Sequence, residues 1–110
     1  MARGSLLRFV VHADDVPFHS QAAVLAEQGF VTGASHRNWS SYGDDVELPP
    51  EMFEWRRHLL TDPQTSGGLL IAVAHERGEP ILRTIRDSGA PFARIIGHAE
   101  ECAPAIKVEA

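Results

Sequence analysis

Thr65-Ser66-Gly67-Gly68 is the stretch best suited to hold a small anion: two hydroxyls and two residues without side chains let successive backbone N–H groups turn toward one point. The same four residues also suit a tight helix-to-strand turn, in which glycine permits positive φ and close packing, and both roles stand open. Arg37 and Asn38 are the second candidate pair. A guanidinium can grip phosphate through two parallel hydrogen bonds and asparagine tolerates turn geometry, so the pair reads as a phosphate contact or, preferably, as a stabiliser of its own loop. Asp62 could act as an acid or a metal ligand, but an aspartate ahead of Pro63 in a turn is expected to bond neighbouring backbone amides.

Other chemistry is harder to build from this sequence. Phosphoryl transfer from ATP requires a phosphate cradle, a metal clamp and a positioned nucleophile. There is no Walker-type loop and no clustered aspartate element, and Lys107 is the only lysine. No catalytic residue and no metal ligand is therefore assigned. His12, His19, His36, His58, His75 and His98 lack the i, i+4 spacing with a carboxylate partner that a metal helix shows, and are expected to be scattered surface imidazoles. Cys102, the single cysteine, excludes an internal disulfide, and the preceding Glu100 and Glu101 disfavour a thiolate.

The charge balance narrows the partners. A net charge of −5, with nine arginines and one lysine as the basic side chains, gives no nucleic-acid footprint. Trp39, Phe53 and Trp55 are not interleaved with a basic stripe and are expected in the core or at a subunit contact. The longest apolar run, Leu69 to Ala74, is too short to span a bilayer, and Met1-Ala2-Arg3-Gly4-Ser5 is not followed by a signal segment, so no membrane partner and a cytoplasmic location are expected.

The elements that would position these residues read as one domain of 110 residues. Leu6 to Val11 predicts a strand, and Pro17 to Gln28 a helix with Pro17 in its first turn and Gly29 as its stop. Phe30 to Gly43 is rich in turn formers and predicts a loop with at most a short helix near Trp39 to Tyr42. Met52 to Leu60 predicts a helix with acidic residues at its start and Arg56, Arg57 and His58 at its end, as the dipole favours. Asp62 to Gly68 is turn chemistry. Leu69 to Ala74 predicts a central strand covered on both faces, Glu79 to Ser88 an amphipathic helix closed by Gly89, and Phe92 to Ile96 and Ala105 to Val108 two short strands. This order predicts an α+β or α/β layered fold.

Asp62-Pro63-Gln64-Thr65-Ser66-Gly67-Gly68-Leu69-Leu70 resembles, without a substitution, the DPQTSGGLL signature of the selenide, water dikinases, or selenophosphate synthetases. Val16-Pro17, a helix ending in Gly29, Gly33 to Asn38, Tyr42-Gly43-Asp44 and Ile95-Ile96-Gly97 fall in the family's order, and Met1 to Ser5 looks like the end of a helix inside its carboxy-terminal domain. The resemblance covers essentially the whole chain and implies a partial carboxy-terminal domain of the aminoimidazole ribonucleotide synthetase-like superfamily, layered α/β/α, with a mixed, largely antiparallel sheet and flanking helices. In the full enzyme it implies conversion of ATP, selenide and water to selenophosphate, AMP and phosphate, with ATP and magnesium held by an amino-terminal domain. The family's catalytic cysteine or selenocysteine, its lysine, its magnesium-binding aspartates and its glycine-rich segment would all precede Met1. The chain alone is accordingly expected to be inactive; the alternative is a stand-alone binding module for a small phosphorylated ligand. Expected partners are a separate amino-terminal synthetase domain and further copies of the chain, since Leu6, Leu7 and Phe9 to Val11 would form an unpaired apolar edge strand.

Overall fold

Aromatic and β-branched side chains at Phe9, Val10 and Val11 suit a pleated, half-buried surface, and strand β1 forms over Arg8–His12. The structure, a computed structural model describing residues Met1–Ala110, places one helical turn before it, α1 (Ala2–Ser5), which ends where Leu6 takes a left-handed conformation at φ 58°. Three further strands, β2 (Val46–Glu47), β3 (Gly97–Glu100) and β4 (Ala105–Glu109), complete one sheet in the order β2-β4-β1-β3. The α+β class with flanking helices is observed, but the sheet is mostly parallel rather than largely antiparallel: β4 runs parallel to both β1 and β2, and only β3 opposes β1. The reason is topological. Strands β3 and β4 follow one another in the chain without pairing, and β1 lies between them, parallel to one and antiparallel to the other.

This placement also corrects the expected edge strand. Strand β1 is hydrogen-bonded on both sides, and Val10 is buried. Registers Phe9↔Ile106, Val11↔Val108 and Phe9↔Ala99 put those apolar side chains on one face, while Arg8, His12, Lys107, Glu109 and His98 share the other. The polar face is laced by Arg8 with Glu47 at 3.4 Å and Lys107 with Glu109 at 2.7 Å, and the latter contact holds the Glu109 carboxyl below its ordinary range.

Five helices flank the sheet. Helix α2 (Ser20–Glu27) starts three residues later than expected, because the acidic pair Asp14-Asp15 closes a 3-10 turn over Ala13–Asp15 and Pro17 lies in the connection. Gly29 ends α2 and Gly89 ends α5 (Gly78–Asp87), both at positive φ, as the sequence predicts. Helix α4 (Glu54–Leu60) carries Glu54 in its first turn and Arg57 and His58 in its last. The largest departure is α3, a ten-residue helix over Gly33–Tyr42 where a loop is expected. Its serines and asparagine are turn formers only while their side chains bond the local backbone; here Ser35 and Asn38 reach another helix, which removes that competition.

Two expected strands are absent. Phe92 to Ile96 is irregular, tied to α5 where Arg86 Nε donates to the Ala93 carbonyl at 2.9 Å, and pairing begins only at Gly97. Leu69 to Ala74 forms no ladder: Leu69 is 90 % and Ile71 52 % exposed, so the run is not a buried central strand. Both edges of β1 are already occupied, and an extended segment without a neighbouring strand cannot satisfy its amides by pairing. Its end, Ala72 to Ala74, lines an open groove of about 540 Å³ with Leu7, Phe9 and Ala99. Only seven of 110 residues are buried, five of them apolar (Val10, Ala13, Ala26, Leu82 and Val108), and the radius of gyration of 14.6 Å exceeds the ~13 Å of a compact domain this size.

The exposed run gives a direct check. Leu69→Glu is expected to change unfolding free energy by no more than about 0.5 kcal/mol in urea titrations, as for other surface substitutions. A loss of about 3 kcal/mol would mean that Leu69 is buried after all.

Candidate functional site

Of the polar residues singled out from the sequence, Asn38 and Asp62 lie where α3 meets the end of α4. Thr32, the N-cap of α3, accepts a hydrogen bond from the Ser35 amide at 3.1 Å, satisfying one of the orphan donors of the first turn. Its hydroxyl donates to Asp62 Oδ1 at 2.8 Å, and Gln64 Nε2 donates to Asp62 Oδ2 at 3.0 Å. Asp62 therefore holds two side chains rather than the neighbouring backbone amides expected of it. Asn38 Nδ2 donates to the Thr61 carbonyl at 2.8 Å, one residue before the turn, so its role in the structure is to join α3 to the α4 end.

Below these contacts lies a buried polar cluster. Ser35 is 0 % and His58 5 % exposed. Ser35 Oγ is 2.9 Å from His58 Nδ1 and 2.6 Å from Thr61 Oγ1, and Thr61 Oγ1 donates to the Arg57 carbonyl at 3.0 Å. On the far side of the imidazole, Nε2 lies 3.3 Å from Arg57 Nη2 and 3.6 Å from Glu54 Oε1. The His36 ring meets that of His58 edge-on at 4.3 Å, and the Arg57 guanidinium stacks 4.9 Å above Trp39. His58 is thus no surface imidazole. Burial is the largest influence on it, followed by the positive charge of Arg57 and by His36; together they push its pKa below 6.5 against the opposing pull of Glu54.

Ser35, His58 and Glu54 stand in the order of a hydrolase triad, but the arrangement cannot work as one. A nucleophilic hydroxyl must meet a substrate carbonyl, and Ser35 Oγ has no exposed surface and is enclosed by His58 and Thr61. The cluster is a tie between helices. The sequence signal for it was Thr32 three residues ahead of Ser35, a capping spacing hidden among other turn formers; nothing local to His58 marks it as buried.

The turn that follows is exposed from Pro63 to Gly68. The Gly67 amide donates to the Gln64 carbonyl at 3.0 Å, closing a tight turn. Neither Gly67 nor Gly68 has positive φ, which corrects the expected reason for glycine here. At Gly67 the reason is close approach: a Cβ would overlap the Gln64 side chain and press on its carbonyl oxygen at 2.9 Å. At Gly68 the space is open. Thr65 and Ser66 stay exposed, and Arg37, also exposed, folds its guanidinium back toward Gly33 without joining the turn by any hydrogen bond or ion pair.

These residues do not fit a magnesium ion. Asp14 is engaged by Arg56, Asp45 by Arg3 at 2.6 Å and Asp62 by Thr32 and Gln64, and no three carboxylate, imidazole or thiol groups converge. His12 and His98, 5.8 Å apart between ring centroids, are a pair without a third ligand.

No family model matches the chain. Curated relatives do. The chain is 53 % identical over 108 residues to a selenide, water dikinase of Rhizobium meliloti (strain 1021), 43 % identical over 108 residues to that of Pseudomonas straminea, and 39 % identical over 108 residues to that of Dechloromonas aromatica (strain RCB). Each match takes in 98 % of this chain but only 30 to 31 % of the relative, so the chain spans under a third of the length of the proteins it matches. Over nearly all of its residues, the chain is similar to the carboxy-terminal part of the selenide, water dikinases.

Proposed function

We propose that the chain is the carboxy-terminal lobe of a selenide, water dikinase, non-catalytic by itself, which completes an active-site cleft whose ATP, magnesium and reacting groups are held by other polypeptide. The observation that carries this reading is the 53 % identity along 98 % of the chain to a protein about three times as long. Two features of the chain support it. Asp14, Asp45 and Asp62 are engaged in structural contacts and no three carboxylate, imidazole or thiol groups converge, leaving no clamp for a phosphoryl group in flight. Its apolar run Leu69 to Val73 and Phe92 are exposed to an extent that a self-sufficient domain rarely tolerates, as expected of a surface that rests on another lobe. In this reading the exposed Thr65, Ser66, Gly67 and Gly68 face the cleft, where their amides and hydroxyls contribute neutral donors to an anionic group.

The test is reconstitution. The amino-terminal portion of the Rhizobium meliloti relative is expressed separately and mixed with this chain, and selenide-dependent ATP consumption is measured for each part and for the mixture. Activity is expected only in the mixture. Turnover by this chain alone would refute the reading, as would a mixture that neither associates nor turns over.

A further inference from the structure

We propose that Ser35 and His58 form an acid-released latch that clamps α3 to the end of α4 and so fixes the turn Asp62 to Gly68. The hydrogen-bond partners define one neutral tautomer. Arg57 Nη2, which can only donate, faces His58 Nε2 at 3.3 Å, so Nε2 accepts and the ring proton sits on Nδ1. From there donation runs through the cluster: His58 Nδ1–H to Ser35 Oγ, the Ser35 O–H to an acceptor on α4 or its end, Thr61 Oγ1 at 2.6 Å or the His58 carbonyl at 3.0 Å, and the Thr61 O–H to the Arg57 carbonyl at 3.0 Å. The Ser35 hydroxyl both accepts and donates, and the chain closes on the helix that carries the turn.

A second proton on His58 has one place to go, Nε2, and there it confronts the Arg57 guanidinium. Glu54, 3.6 Å away, is the one anion at hand, and it is already engaged by Arg57 Nη2 at 2.9 Å. His36, edge-on at 4.3 Å, is the other imidazole facing the ring. From α2, which packs against α4, the titratable groups are Glu27 and, at its N-cap, His19; neither bears on the His58 ring. The unlatched histidine binds its proton near 6.5, whereas in the latched state burial, Arg57 and His36 hold it lower. The sign follows: the latch is fully effective above 6.5 and weakens as pH falls below it, because the unlatched form takes up the proton first.

The consequence reaches the turn because the ties at this end of α4 share one anchor. Ser35 holds Thr61, Asn38 holds the Thr61 carbonyl, and Thr32 holds Asp62. Displacing α3 from His58 loosens all three. The latch itself does not depend on the selenophosphate assignment; its bearing on catalysis rests on the proposal that the turn faces the cleft.

The experiment is amide hydrogen exchange on the isolated chain, following the Thr61, Asp62 and Gly67 amides, which donate to Arg57, Leu59 and Gln64 respectively. Rates are corrected for intrinsic pH dependence and compared at about pH 7.5 and about pH 5.5, on either side of the histidine range. Wild-type protection is expected to fall, by at most about tenfold, and that of His58→Asn, whose amide supplies a donor near the Nδ1–H position but does not titrate, to change less than about twofold and less than wild type. His36→Asn should keep most of the wild-type response. A wild-type chain with unchanged protection, or a His58→Asn chain as pH-sensitive as wild type, would overturn the proposal. If His58→Asn does not fold, NMR titration of the wild-type ring decides: a value below 6.5 upholds the latch, and one at or above it removes it.

Discussion

Gly97→Ala should cost more stability than any other single-methyl addition to this chain, on the order of 3 kcal/mol, a large share of the stability of an ordinary domain. Gly97 opens β3 directly opposite Val11. A Cβ there would overlap the Val10 carbonyl oxygen and lie 2.9 Å from the Val10 carbonyl carbon and 3.1 Å from Val11 Cα. All three are backbone atoms of a strand held from both sides, so no side chain can swing away to make room. The remaining escape is for β3 to leave the sheet, exposing Val10, one of only five buried apolar residues. Urea titration of Gly97→Ala against His98→Ala isolates the effect, since His98 is exposed and its truncation should fall within about 1 kcal/mol. A Gly97→Ala chain as stable as wild type would mean that β3 does not approach β1 in this register.

The same residue shows what the sequence made legible and what it did not. Gly97 reads as punctuation between two strands, because a glycine after Ile95-Ile96 signals an end; in the structure it is the first residue of the strand. Elements governed by local rules match closely: β1 and β4 within a residue or two, α4 by its charge order, and α2 and α5 by the glycines that end them. Those governed by distant partners do not. Helix α3 required knowing that Ser35 and Asn38 would spend their hydrogen bonds on α4, and Leu69 to Ala74 required knowing which strand lies beside it. The candidate site divides likewise. Asp62, Asn38 and the Thr65 to Gly68 turn were visible as polar punctuation, while His58 was hidden, because a histidine in the last turn of an amphipathic helix carries no local mark of burial.

Ser35→Val should be the second most damaging change, at about 3 kcal/mol, although it preserves size to within a methyl group. The hydroxyl is within hydrogen-bond distance of three polar groups at once, His58 Nδ1, the His58 carbonyl and Thr61 Oγ1, and both Ser35 and His58 are buried. Removing it orphans the imidazole N–H outright, at roughly 1 to 3 kcal/mol for a buried donor. The added branch must also fit a space already filled, since Ser35 is the most enclosed side chain between the two helices. Ser40→Val, on the exposed side of the same helix, controls for the lower helix propensity of valine and should cost under about 1 kcal/mol. Ser35→Ala separates the two contributions, because it orphans the same groups without the bulk and should retain about half or more of the loss. If Ser35→Ala were neutral while Ser35→Val were not, tight packing alone would hold α3 against α4, and the hydrogen-bond chain through His58 would carry no weight in fixing the turn that precedes Leu69.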